Sequence, residues 1–246
     1  PFYLAQGEYA GIVDPLVASY SDKNSGEIVA IPEQAAAVVN KALNLVNLQR
    51  KANAEKKVAM LFWNYPPGEK NLSASFMNVP RSLETTLKAM QAAGYDTRAE
   101  TEVTLIASLQ RLLAPFYRDG ELAGLLRDGL AERLPVATYK AWLKGQPQAI
   151  QDEIHERWGT PEKSAMVIVD RGEAYFVMPR LAVGKLIVSP QAPRGERWEE
   201  KEKALYHSSK AAPSHFYLAH YLWLREHFKA DALVHYGTHG SQEWLP

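Results

Sequence analysis

The sequence of 246 residues predicts an α/β protein: parallel-sheet, Rossmann-like layers with an inserted, mainly helical segment. Three observations carry that expectation. Residues 58–63 and 232–235 are short, nearly unbroken apolar runs, the composition of strands buried on both faces of a parallel sheet. Each run ends in a turn that can continue neither strand nor helix, Asn64-Tyr65-Pro66-Pro67-Gly68 and Gly237-Thr238-His239-Gly240. Between them, residues 102–158 carry apolar side chains at helical spacing.

Along the chain, residues 1–31 read as irregular or short-stranded, with a turn signal at Ser21-Asp22-Lys23-Asn24-Ser25-Gly26. Ala36, Val39, Leu43, Val46 and Arg50 share helical spacing, so 33–50 is expected to be a helix, followed by the polar stretch 51–57. The strand 58–63 opens a first βα unit. Its loop, 64–79, is long for such a connection, and long loops in compact domains are often functional. A helix then starts near Pro80, buries Leu83, Leu87 and Met90, and stops at Gly94. In the helical segment, Leu105, Leu109, Leu112 and Phe116 form one stripe and Ile150, Ile154 and Trp158 another, closed by Gly159 and Pro161. Strands are expected at 165–169, 174–178 and 185–188, the first two joined as a hairpin through Asp170-Arg171-Gly172-Glu173. An aromatic-rich helix at 215–228 and the strand at 232–235 complete the reading. The organisation is thus a lead-in and helix (1–57), a first βα unit (58–101), a helical segment (102–160) and a second α/β part (161–246).

Charge is balanced, 28 basic against 28 acidic residues, which argues against a nucleic-acid binder. The absence of cysteine excludes a disulfide scaffold, thiolate zinc sites, iron–sulfur clusters and a cysteine nucleophile. No apolar run approaches a membrane span, and the start of the sequence lacks the pattern of a signal peptide, which fits a cytoplasmic protein. There is no initiator Met, and the end at Glu243-Trp244-Leu245-Pro246 has no polar tail, so an excised fragment is expected.

Six of the seven histidines fall in 207–239, a window of 33 of 246 residues in which an even scatter would put about one. Histidine carries protons near neutral pH and is the commonest metal ligand. The sharpest pattern is His235-x-Gly-x-His239-Gly-x-x-Glu243, three proton- or metal-capable side chains at intervals of four. Gly237 and Gly240 argue against one continuous helix and for a strand end, a glycine turn and a new helix start, on which the three side chains can converge. The bland alternative, in which His235 caps a strand and His239 satisfies local backbone groups, stays open. Ser214 is a good N-cap for the following helix. His215 in its first turn is a poor electrostatic choice, which favours a functional role or a neutral imidazole. Arg194, in a Pro-rich polar loop, can pair with a carboxylate or be a solvated loop residue. No phosphate-binding Gly-x-x-x-x-Gly-Lys-Ser/Thr motif and no Gly-x-Ser-x-Gly elbow is present.

At these residues the sequence resembles the large subunit of aerobic cobaltochelatase (CobN) and the related H subunit of magnesium chelatase. The family signature Ala-Asp-Ala-x-x-His-x-Gly-x-His-Gly-x-x-Glu-Trp-Leu-Pro is matched at Ala230 to Pro246. Ser214-His215-Phe216-Tyr217-Leu218-Ala219, Asn64-Tyr65-Pro66-Pro67-Gly68 with the helix to Gly94-Tyr95-Asp96, and Gln191-Ala192-Pro193-Arg194-Gly195 match further blocks, so that the resemblance covers about residues 28–246. Ser208-Ser209, Ala212 and Ala192 depart from the usual pattern.

The resemblance implies a chelatase-type fold and insertion of a divalent metal, cobalt or magnesium, into a tetrapyrrole. Separate AAA+ subunits would use the ATP, which fits the missing phosphate loop. It implies catalytic roles for Glu243, His239 and His235, with transient metal contact by the same three. It also implies tetrapyrrole contacts from His215, Tyr65, Arg194, His207 and Trp244. Neither nucleic acid nor a membrane span enters this picture. Two other readings stay open: a zinc-dependent hydrolase using His235, His239 and Glu243, and a non-catalytic docking module.

Overall fold

The computed structural model describes residues 16–197, 210–238 and 240. The chain divides into two compact units, Pro1–Lys51 and Ala52–Pro246. In the first, β1 (Ser19–Ser21) and β2 (Ile28–Ala30) pair antiparallel. The expected turn joins them, the Asp22 carboxylate accepting from the backbone N–H groups of Asn24 and Ser25, both at 2.9 Å. Helix α1 (Pro32–Arg50) follows, with proline in its first turn.

The second unit is a mixed α/β structure. Its main sheet has four strands in the order β11-β3-β10-β9. β3 (Val58–Phe62) pairs in parallel with β10 (Leu186–Pro190) on one side and β11 (Ala232–Tyr236) on the other, while β9 (Leu181–Val183) is antiparallel to β10. The two apolar runs are therefore neighbouring parallel strands, as expected, but the burial expected of both holds only for β3, because β11 lies at the sheet edge and exposes Leu233, Val234 and His235. Every residue of β3 is buried, because a central strand covered on both faces has no solvent side to alternate with. Asp231 sets the register of β11: its carboxylate accepts from the Lys57 N–H at 2.7 Å and its own N–H donates to the Lys57 carbonyl at 2.8 Å.

Helix α2 (Val79–Ala92) is capped by Asn78, whose side chain accepts from the Arg81 N–H, and buries Leu83 and Leu87. The Thr86 hydroxyl meets the Tyr236 hydroxyl at 2.9 Å and ties α2 to β11. Helix α3 (Glu102–Leu113) starts with a Thr101/Thr104 capping box and buries Leu105, Leu109, Leu112 and Leu113. At the β9–β10 turn, Gly184 has φ +73, and a Cβ there would lie 2.4 Å from the Asp96 carbonyl oxygen, so only glycine fits.

The long loop expected at 64–79 carries a small hairpin, β4 (Ser73–Ala74) and β5 (Met77–Asn78). Two expectations are corrected. The segment 102–158 is not helical throughout. After α4 (Leu122–Arg127), strand β6 (Ala131–Pro135) interrupts it before α5 (Val136–Lys144) and α6 (Gln148–Trp158). β6 pairs with β8 (Glu173–Pro179), which also forms the expected hairpin with β7 (Val167–Asp170), making a separate antiparallel sheet β6-β8-β7. The helix expected at 215–228 is α-helical only over His215–Leu222 (α7) and then widens into a π-helical turn, Trp223–Phe228. Among the described residues no helix is long and apolar enough to cross a membrane.

Candidate functional site

Ligands of open parallel sheets bind beyond the C-terminal ends of the strands. Here those ends belong to β3, β10 and β11, and they lead into 63–78, 191–197 and 237–238. The ladder extends one step past the strands, with Trp63 N–H donating to the Tyr236 carbonyl at 3.1 Å and Gln191 N–H to the Phe62 carbonyl at 2.9 Å. The three loops therefore leave from one row.

The loop after β3 is built on polar side chains. The Tyr117 hydroxyl accepts from Gly68 N–H at 2.8 Å and from the Asn64 amide at 3.3 Å, and the same amide donates to the Gly68 carbonyl at 3.0 Å. Asn71 donates to the Pro66 carbonyl and accepts from the Ser73 hydroxyl at 2.6 Å. Tyr65 follows β3 by three residues and is 40% exposed. Its backbone holds the hairpin, Tyr65 N–H donating to the Ser73 carbonyl and Ser75 N–H to the Tyr65 carbonyl, both at 2.8 Å. At the hairpin tip, the Ser75 hydroxyl accepts from the Thr238 hydroxyl at 3.2 Å. Thr238 lies inside the His235-to-Glu243 pattern, so the loops after β3 and β11 meet, as their positions at adjacent strand ends require.

His235 stands on β11 with an exposed ring, 2.8 Å from the Tyr221 hydroxyl through Nε2. Tyr221 also accepts from the Gln191 amide at 3.3 Å, so one phenol from α7 joins the loop after β10 to the strand-end histidine. Burial raises the Tyr221 pKa far above neutrality and lowers that of His235. Tyr221 is therefore a protonated phenol at neutral pH, and His235 favours its neutral form. A neutral imidazole can take a proton or offer a lone pair, which are the two acts a proton- or metal-handling site needs. Tyr221 was not legible as a site residue, since its contact with His235 joins two elements 14 residues apart.

His215 and Arg194 are placed differently from expectation. His215, for which the resemblance implies a tetrapyrrole contact, is 1% exposed and lies inside the molecule. Its Nε2–H donates to the Gly159 carbonyl at 2.9 Å, which leaves Nδ1 to accept from the Tyr139 hydroxyl at 2.9 Å. Burial lowers its pKa, the neutral alternative that its helix-start position had raised. Ser214 is the N-cap, as expected, accepting from the Tyr217 N–H at 3.3 Å. Arg194 is 4% exposed rather than solvated, because the whole stretch Gln191-Ala192-Pro193-Arg194-Gly195 is packed inside. Its guanidinium donates to the Ala211 carbonyl, and its own carbonyl accepts from Ser214 N–H at 3.1 Å. Arg194 thus holds the entry to α7. His207, His239, Glu243 and Trp244 lie outside the described residues. Among the described residues, no three His, Asp or Glu side chains are gathered to hold a metal.

The fold and site define a mixed α/β protein whose parallel strand ends carry a tyrosine-held histidine, His235, beside the meeting of Thr238 with Ser75. The sequence model described as CobN/Magnesium Chelatase matches residues 1–246, and the chain belongs to that family. It is 34% identical over 207 residues to the aerobic cobaltochelatase subunit CobN of Sinorhizobium sp, covering 83% of this chain and 15% of that protein. It is 26% identical over 246 residues to the chloroplastic magnesium-chelatase subunit ChlH of Oryza sativa, covering 99% of this chain and 16% of that protein. The solved catalytic subunit of cobaltochelatase from Mycobacterium tuberculosis superposes with a TM-score of 0.69 at 29% identity, over 94% of this chain and 19% of that one. The chain thus spans less than a fifth of the length of these relatives.

Proposed function

We propose that the chain is the tetrapyrrole-binding part of the large subunit of an ATP-dependent metal chelatase, with cobalt insertion into a corrin precursor as the reaction. Magnesium insertion into protoporphyrin is the second reading, favoured by the likeness to the rice ChlH subunit over 99% of this chain. The observation that carries the proposal is the Thr238–Ser75 hydrogen bond, which holds Thr238, within the His235-x-Gly-x-His239 pattern, against the loop after β3. The layers around the sheet are read as Rossmann-like, with the macrocycle beyond the strand ends.

Insertion bonds the metal to four ring nitrogens while a hydrated divalent cation sheds water, so the inner N–H protons must leave, two from a porphyrin and one from a corrin. Glu243 attracts the cation and accepts a proton, and His235 and His239 pass protons outward. Tyr65 and Trp244 stack on the flat ring, and His207 contacts its edge. Arg194 and His215, being internal, act by positioning the segments that carry these groups. AAA+ partner subunits hydrolyse the ATP, and this chain alone inserts no metal. The test is Glu243→Gln in the complete subunit, assayed with its ATPase partners, metal and macrocycle. Insertion is expected to slow by about 100-fold, the scale for losing a general acid–base, with macrocycle binding and folding intact. Near-normal insertion by the variant overturns the proposal.

A further inference from the structure

The tip of the β4–β5 hairpin carries Phe76 with its side chain fully exposed, between Ser75 and Met77. Hairpin tips ordinarily carry Gly, Asn, Asp or Ser, so a phenylalanine projecting into solvent has no local structural reason. The tip is also held firmly. Ser75 sits at φ 56, a left-handed conformation that serine adopts only where its surroundings impose it. Three hydrogen bonds fix it, two through the Tyr65 backbone and one from Thr238. The root of the hairpin, Ala74, is fully buried. Phe76 is therefore an apolar ring on a rigid post, one residue from the Ser75–Thr238 contact, on a hairpin held by the backbone of the exposed Tyr65. It also walls a groove of about 360 Å³ that Leu72, Ile106 and Lys70 line, open to a ring edge and its substituents.

We propose that Phe76 is a binding residue for the flat face of the macrocycle, stacking on it at the rim where the loops after β3 and β11 meet. The inference rests on the tetrapyrrole reading above. It assigns to the hairpin a contact that depends on aromaticity. A tip whose role is to pack against another part of the large subunit requires only apolar bulk.

The experiment uses the complete subunit carrying Phe76→Ala, Phe76→Leu or Phe76→Trp, titrated with two metal-free probes, deuteroporphyrin IX and hydrogenobyrinic acid, and followed by absorbance and fluorescence. Phe76→Ala and Phe76→Leu are expected to weaken binding of the probe that the wild type binds by about tenfold, the scale of one stacking contact. Phe76→Trp is expected to restore it, with its fluorescence quenched on binding, and thermal unfolding is expected to be unchanged in all three. Wild-type affinity in Phe76→Ala, or full rescue by Leu, overturns the inference while leaving the tetrapyrrole reading in place. Failure of the wild-type subunit to bind either probe overturns both.

Discussion

On α7, His215 and His220 lie inside the molecule; on β11, His235 is an exposed residue of the sheet edge, with Nε2 alone tied to the Tyr221 hydroxyl among the described contacts. The surroundings explain the difference. His220 stacks against Phe216 and Trp223, with ring centroids at 5.8 and 6.2 Å. The Ser189 hydroxyl donates to the Pro179 carbonyl at 2.6 Å, so it is the His220 Nε2–H that donates to Ser189 Oγ at 3.1 Å. Nδ1 of His220 has no hydrogen-bond partner among the described residues. These imidazoles serve as polar core residues, and a concentration of histidine in sequence is here two populations rather than one site. The helix pins the layers together, while the strand end leaves its histidine exposed.

The largest effect that separates the two populations is on stability. His220→Ala removes a fully buried ring from an aromatic stack and is expected to cost about 3–5 kcal/mol, as for other large-to-small core changes. His235→Ala, at an exposed position, is expected to stay within about 0.5 kcal/mol of wild type while impairing insertion. Urea unfolding of both variants checks the pair. Equal losses would show that the rim histidine is also structural and would dissolve the distinction.

Acid comes next. Burial pushes the His220 pKa down from 6.5 to about 4. The unfolded chain takes up this proton below pH 6.5, and the folded one refuses it until about pH 4. Stability from this group is therefore complete above pH 6.5 and declines as pH falls toward 4, by about 3 kcal/mol in all. In His220→Leu that part of the acid sensitivity is expected to vanish, so its unfolding free energy should run flatter than wild type between pH 6.5 and 4. An unchanged slope would show that His220 is charged or solvated in the folded state.

How much of this was legible follows from the range of each interaction. The parallel strand β3 was readable because burial on both faces leaves an unbroken apolar run; β11 was readable from a similar run, although at the sheet edge it leaves Leu233 and Val234 exposed. β6 was not, because Ala131-Glu132-Arg133-Leu134-Pro135 is short and exposes Glu132 and Arg133, so its strand character comes from pairing with β8, more than 40 residues later. The His235 segment stood out by spacing, and its approach to the loop after β3 followed from parallel strand ends. The interior fate of His215 had no local signal. Its partners, Tyr139 and Gly159, are 76 and 56 residues away, and a polar residue at a helix start reads as exposed until the packing around it is known. Arg194 misled for the same reason, since proline and glycine mark a loop but not whether that loop is buried.

The smallest expected effect tests the interior assignment most sharply. Tyr139 is fully buried, and burial raises its pKa well above the ordinary 10.0, so its hydroxyl stays protonated and donates to His215 Nδ1. Tyr139→Phe keeps the ring, including its edge-on contact with Phe176 at 5.4 Å, and deletes only the donor. The buried Nδ1 lone pair is then unsatisfied, which costs about 1–2 kcal/mol. If His215 is an internal pin, that is the whole effect: unfolding shifts by this amount and macrocycle affinity does not move. Adding His215→Phe removes the stranded acceptor, so the double variant should lose less than the two single variants summed, although the Gly159 carbonyl then lacks its donor. A Tyr139→Phe subunit that unfolds normally but binds macrocycle more weakly would place His215 at the ligand, and the division between helix and strand end would have to be redrawn.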